Sequence, residues 1–120
     1  MNVVGLVALA GCAAHGLTLS QAKQLALAAP NIENAVRLNH AAPRFEYIKA
    51  QSGGWYFDIN SANPCPRQRP CSKLLGHYTV DKRTGEVTEL DRGEEGVAVT
   101  SHKMIRLKRL FLARACHQRI

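Results

Sequence analysis

The chain has 120 residues, 46% of them apolar and 6% aromatic, which fits one small globular domain and excludes extensive disorder. The formal net charge of +7 is unevenly distributed, because residues 1–100 are nearly balanced while residues 101–120 carry six Lys/Arg and no acid. The basic character therefore belongs to the C-terminal segment.

Residues 1–17 contain an apolar run, Val3–Gly11, that is too short to span a bilayer as a helix and fits the core of a secretory signal. The run ends in LAGC, which resembles the bacterial lipobox. That resemblance implies lipidation of Cys12 and a periplasmic, membrane-anchored protein. No Lys or Arg precedes the run, so an upstream start codon or a buried strand of a cytosolic protein stays open as an alternative.

Residues 18–42 are predicted to be helical. A first helix begins at Thr18 with Gln21 as a capping box, or at Ser20, and Pro30 ends or bends it. A second short helix with Asn31 as its cap follows. The apolar positions of the first helix form one stripe, namely Leu19, Ala22, Leu25, Ala26 and Ala29.

Residues 44–90 are predicted to form four antiparallel strands, since apolar and polar residues alternate along 55–60 and again around Val80. The first strand, 44–51, is expected to place Phe45 and Tyr47 on one face. The segment DKRTG predicts a hairpin turn in which Gly85 takes a positive φ. An acidic linker, 91–96, and a helix from Thr100 or Ser101 complete an α+β domain. The predicted units are a signal and tether (1–17), an α+β domain (18–96) and a basic C-terminal helix (97–120).

The loop between the second and third strands reads CPRQRPC, from Cys65 to Cys71. This spacing is wide for a thioredoxin-type pair and lacks the second half of a zinc ribbon, so a local disulfide is the simplest interpretation in an exported protein. Such a small closed loop contributes about 2 kcal/mol and holds Arg67, Gln68 and Arg69 on a stiff protrusion. The alternative is a loop stapled only against proteolysis.

Cys116 is interpreted as a buried thiol or as a partner of a loop cysteine. Some cysteines and histidines are of the residue types that bind zinc, but no other feature of the sequence supports a zinc site, and an oxidising compartment argues against one. We therefore predict no metal and no cofactor. The side chains considered as zinc ligands are Cys65, Cys71, His77, Cys116 and His117.

The sequence contains no phosphate-binding loop, no HExxH and no GxSxG, and the adjacent carboxylates Glu94 and Glu95 lie in the linker. We therefore expect no enzymatic activity. The basic tail is interpreted as a solvated helix that closes the domain. Binding of the tail to anionic phospholipid is a second interpretation. Nucleic acid is excluded as a partner because the tail lacks exposed aromatics and export would separate the two.

Three segments, SQAKQLA (20–26), GWYFDI (54–59) and YTVDKRTGEV (78–87), resemble a PepSY-like repeat. The resemblance implies a helix packed on an antiparallel sheet and a binding or protease-inhibiting role outside the cytoplasm. The cysteine loop and the basic tail depart from that pattern. By architecture and location the chain also resembles immunity lipoproteins that block cell-wall-degrading toxins of type VI secretion, which is a fold-level analogy.

These observations predict a small periplasmic, lipid-anchored protein that inhibits or neutralises an enzyme, with a peptidoglycan hydrolase as the target class. The rival class is a structural envelope lipoprotein whose tail binds membrane or anionic polymer. A third class is a small redox or metal protein. The predicted partner-binding residues are Arg67, Gln68, Arg69, Lys73 and His77.

Overall fold

A computed structural model describes residues 16–63, 73–90 and 96–119, with side chains through Ala113. The predicted α+β class is confirmed, with two N-terminal helices, an antiparallel sheet and a C-terminal helix. The sheet has five strands, so the predicted number of four is wrong. The elements are α1 (Leu19–Leu27), α2 (Pro30–Asn39), β1 (Pro43–Gln51), β2 (Gly54–Ser61), β3 (Leu74–Asp81), β4 (Val87–Leu90), β5 (Val97–Val99) and α3 (His102–Arg119).

Both N-terminal helices begin at residues suited to helix starts. Thr18 and Gln21 form the predicted capping box of α1. The predicted cap of α2 is wrong, because Ala29 occupies that position and Pro30 is the first helical residue, where its fixed φ suits a helix start. The Asn31 amide instead donates a hydrogen bond to the Leu75 carbonyl at 3.0 Å, which ties α2 to β3.

The sheet is a simple meander in the order β1-β2-β3-β4-β5, with every neighbouring pair antiparallel. A bulge in β1 places Phe45 opposite Ile59 but Tyr47 opposite Asp58. The two β1 rings therefore lie on opposite faces, contrary to the prediction, because one extra residue in the strand reverses the alternation that follows it.

The fifth strand lies in the segment that was predicted to form the C-terminal helix. β5 has only three residues, which is too short to produce a recognisable alternation, and it is defined by its pairing with β4. The predicted cap of the helix is confirmed: the Ser101 hydroxyl accepts from the Met104 backbone N–H at 3.1 Å. The same hydroxyl donates to the Ala28 carbonyl at 2.9 Å and so joins the start of α3 to the end of α1.

The hydrophobic core lies between the three helices and one face of the sheet. Phe57, Tyr78 and Val80 are at most 1% exposed, and the Phe45 ring packs edge-on against Phe57 at 5.0 Å. Gly54 permits close packing of β2 on β3, because a Cβ there would clash with the Val80 carbonyl oxygen. The helices contribute Leu17, Ala22, Leu25, Ala26, Ala28, Ala29, Ile32, Met104 and Phe111 to this core.

The predicted turn between β3 and β4 is confirmed. The Asp81 carboxylate accepts backbone hydrogen bonds from Thr84 at 2.9 Å and Arg83 at 2.8 Å, and Gly85 takes a φ of 74°. These N–H donors, with Thr84 the strongest, hold the pKa of Asp81 below its ordinary value. Across the described ranges, no helix combines the length and apolar character needed to cross a membrane.

Candidate functional site

One face of the sheet lies opposite the core, and its side chains follow from the alternation of the strands. We call this surface the open face and define it by Tyr47, Tyr56, Asp58, His77 and Thr79. The buried core of the described residues lies entirely on the other face. The open face is therefore a strand surface that the buried core does not use.

Three side chains on the open face meet at one point. The His77 Nδ1 atom lies 2.5 Å from Asp58 Oδ1 and 3.1 Å from the Tyr56 hydroxyl. The imidazole stacks on the Tyr56 ring, with centroids 6.2 Å apart and an interplanar angle of 18°. Tyr47 meets Tyr56 edge-on at 6.1 Å. The strand register brings these groups together, since Asp58 is paired with His77 across β2 and β3.

The proton positions in this cluster follow from its geometry. An ionised carboxylate only accepts hydrogen bonds, so the short contact with Asp58 requires that His77 Nδ1 carries the proton. With Nδ1 protonated, the Tyr56 hydroxyl does not donate to that nitrogen, and its proton is available to Asp58. Burial, followed by this hydrogen bond, raises the pKa of Tyr56 to about 12. The cluster therefore holds a carboxylate next to two donors.

This arrangement supplies an oriented imidazole, a fixed carboxylate and two aromatic rings on an accessible surface. The side chains of His77 and Asp58 keep 31% and 27% of their area exposed. A carboxylate that orients a histidine also occurs beside catalytic nucleophiles. In the described part of the chain, however, His77 hydrogen-bonds only Tyr56 and Asp58. The cluster offers hydrogen-bonding groups and aromatic rings on one surface.

A groove of about 710 Å³ runs between the start of α2 and strands β3 to β5, and His77 belongs to its lining. At its floor the buried Tyr78 hydroxyl donates to Glu89 Oε1 at 2.9 Å. Burial and then this hydrogen bond raise the pKa of Tyr78. Leu75 and Val99 add apolar wall. Within the described ranges, no three His, Cys, Asp or Glu side chains are grouped so that they could hold a metal ion.

The structure describes two of the predicted partner-binding residues. Lys73 is exposed, and its carbonyl accepts from the Ser61 N–H at 2.6 Å. This bond joins the end of β2 to the residue before β3. The Asp58–His77 pair lies only a few residues from that bond. Predicted side chains outside the described residues are Cys12, Cys65, Arg67, Gln68, Arg69, Cys71, Cys116 and His117.

The sequence analysis named His77 as a partner-binding residue but missed its cluster with Tyr56 and Asp58. Alternation along β2 already places Tyr56 and Asp58 on one face. The position of His77 opposite Asp58 depends on the β2–β3 register, which a long connection does not determine.

Comparisons with protein-family models, with curated proteins and with solved structures find no match to this chain.

Proposed function

We propose that this chain is a small periplasmic, lipid-anchored binding protein that inhibits or neutralises an enzyme, with a peptidoglycan hydrolase as the target class. The observation that carries the proposal is the preorganised Tyr56–Asp58–His77 cluster on an accessible sheet face. The Asp58–His77 pair lies a few residues from the end of β2 and the start of β3, and the sequence between these strands contains Arg67 and Arg69.

The cluster favours binding because its side chains lose little freedom when a partner arrives. Asp58 is held by donors from His77 and Tyr56, and Tyr56 is stacked on the imidazole. Immobilising a flexible side chain at an interface costs about 0.5–1.5 kcal/mol, so prior ordering improves affinity. Tyr47, 49% exposed, adds a tyrosine of the type that often anchors interfaces.

The charge at this end of the sheet indicates the chemistry of the partner. The β2–β3 connection carries Arg67, Arg69 and Lys73 and no acidic residue. Complementary charge speeds association and selects partners. An acidic or polar cleft, such as the substrate groove of a hydrolase, suits this surface.

Two resemblances support the compartment and the type of activity. The PepSY-like segments imply binding or inhibition outside the cytoplasm, and the LAGC sequence that ends at Cys12 implies a lipid anchor. The proposal needs no cofactor. Intact mass of the protein from its native membrane fraction, before and after reduction, tests the anchor and the Cys65–Cys71 disulfide together. An unprocessed chain with free thiols would contradict the proposed compartment.

The inhibitory role is tested by affinity capture followed by an activity assay on the captured enzyme. The wild-type chain should retain one enzyme in stoichiometric amount and block its hydrolysis of peptidoglycan. Arg67→Ala with Arg69→Ala should weaken inhibition by at least tenfold, since charged groups at protein interfaces contribute on the order of 1.4 kcal/mol or more. The matched control is Arg83→Ala, an exposed cation of the β3–β4 turn.

Thermal unfolding of both variants should match the wild type, which separates lost binding from lost structure. Equal inhibition by the wild type and the double variant would refute the assignment of the loop. Retention of a partner without inhibition would refute the inhibitory role.

A further inference from the structure

The outward side of α3 carries a row of cations. Lys103, Arg106 and Arg109 recur at intervals of three residues, and all three are exposed. Met104 and Phe111, on the inward side, are at most 3% exposed and belong to the core. We call Lys103, Arg106 and Arg109 the α3 basic face. Because the inward side is anchored in the core, this face is held at a constant orientation.

The α3 basic face has no internal counter-charge. Residues 101–120 contain no Asp or Glu, so no i,i+4 ion pair can form along the helix. The ion pairs of the described residues are Arg44–Glu46 and Asp58–His77, and neither involves α3. Neighbouring cations on one face repel each other, so an anionic surface that lies across them would relieve this repulsion.

Exposed apolar side chains flank these cations. Leu110 is 46% exposed and Ile105 is 38% exposed. At 100° per residue, Leu110 projects between Lys103 and Arg106. A basic helix face that also presents leucine and isoleucine suits the headgroup region of a bilayer, where apolar groups enter the acyl boundary and cations remain among phosphates. Nucleic-acid backbones offer no comparable environment for Leu110.

The first described residues lie beside the β3–β4 turn, which in turn lies next to α3. The Leu17 N–H donates to the Lys82 carbonyl at 2.7 Å. A Cβ at Gly85 would lie 3.0 Å from Lys108 Cδ and 3.3 Å from Leu17 Cδ1, so Leu17 and the α3 residue Lys108 both lie next to the β3–β4 turn. Gly16 is four positions after Cys12, a span of at most about 14 Å. An anchor at Cys12 would therefore hold α3 close to the membrane.

We propose that the α3 basic face binds the anionic phospholipid headgroups of a bilayer. The binding surface consists of described residues. Its role at the membrane in the cell rests on the proposed function, which includes the lipid anchor. Since α3 belongs to the helical layer and the open face lies on the other side of the sheet, this docking turns Tyr56, Asp58 and His77 away from the membrane. The partner-binding surface is then presented to enzymes in the periplasm.

The test is co-sedimentation of the full chain, carrying Cys12→Ser so that no lipid anchor can form, with two kinds of vesicle. One contains phosphatidylcholine alone and the other contains phosphatidylcholine mixed with phosphatidylglycerol. The protein should bind the anionic vesicles preferentially, and salt should weaken this binding. Because the anchor is absent, failure of the predicted lipidation would not change the result.

The decisive variant replaces Lys103, Arg106 and Arg109 with Gln. Each cation near an anionic surface is worth roughly fivefold in partitioning, so the triple variant should bind about a hundredfold more weakly. The matched control replaces Arg37, Arg44 and Lys49 with Gln. It removes the same amount of charge, but from α2 and from β1, the edge strand at the far end of the sheet from β5. The control should bind within about threefold of the wild type, since those positions belong to α2 and β1 and not to α3.

Equal loss in both triple variants would overturn the proposal, because net charge rather than α3 would then govern binding. Tighter binding to a DNA duplex than to anionic vesicles, unchanged by Leu110→Gln, would overturn it in favour of a general polyanion site. Leu110→Gln should weaken vesicle binding while all cations remain. This variant also keeps the proposal testable if a triple variant fails to fold.

Discussion

The hydrogen bond between Tyr78 and Glu89 offers a clean test of how the core is stabilised. Tyr78 is fully buried, and its hydroxyl donates to Glu89 Oε1 at 2.9 Å. Tyr78→Phe keeps the ring and its packing and removes only the donor. Hydrogen bonds to charged groups contribute about 1.5–3 kcal/mol, and the half-buried Glu89 can regain some water. We expect a loss of about 1.5 kcal/mol, or a fall in Tm of about 6 °C.

Urea unfolding, monitored by circular dichroism, measures this loss. Tyr47→Phe is the matched control, because Tyr47 is 49% exposed and the described residues give its hydroxyl no hydrogen bond. A double-mutant cycle with Glu89→Gln should return a coupling energy of about 1 kcal/mol. A Tyr78→Phe protein within about 0.3 kcal/mol of the wild type, or an additive cycle, would refute the reasoning.

The same pair predicts how stability responds to alkali. Burial and Glu89 raise the pKa of Tyr78 above its ordinary value of 10.0, so the folded state keeps a proton that the unfolded state loses first. The stabilisation is fully present below pH 10 and declines as the pH rises above it. Wild-type stability should therefore fall more steeply above pH 10 than that of Tyr78→Phe. Parallel curves would contradict this assignment.

Two further predictions concern local contacts. Ser101→Ala removes the acceptor for the Met104 N–H and the donor to the carbonyl of the buried Ala28, so we expect thermal unfolding to show a loss of about 2 kcal/mol. Ser101→Thr keeps the hydroxyl and should lose under about 0.5 kcal/mol. Equal stability of the two variants would argue that this hydroxyl does not join α3 to α1. Because the pKa of Asp81 is lowered in the folded state, its ionised form stabilises the fold at pH values above the ordinary pKa, and this stabilisation is lost as the pH falls through the folded pKa. Asp81→Asn keeps an acceptor oxygen for Thr84 and should therefore make stability less dependent on pH in the acid range. An unchanged pH dependence in that range would contradict this.

The elements that sequence analysis located correctly depend on short-range chemistry. The Thr18–Gln21 capping box joins residues three apart, and the Asp81–Gly85 turn is closed by its own carboxylate and a glycine. Alternation along β2 likewise follows from the geometry of a single strand. In each case the residues that determine the local structure lie within a few positions of one another.

The predictions that were wrong concern residues whose structure depends on a contact with a distant part of the chain. Asn31 has the side chain of a helix cap, yet its amide bonds the Leu75 carbonyl of β3. β5 is too short to be recognised without its pairing to β4. The bulge in β1 adjusts that strand to β2 and moves Tyr47 to the open face. No local preference distinguishes these outcomes from their alternatives.

Local residue patterns are enough to predict the α+β class, a helix start at Thr18 or Ser20, the turn at Gly85 and the concentration of charge near the C-terminus. The packed fold is needed to place His77 opposite Asp58, because strand register depends on which side chains the core accepts. It also decided which side of α3 is buried. The burial of Met104 and Phe111 leaves Lys103, Arg106 and Arg109 outward, an orientation that a mixed helical pattern cannot specify alone.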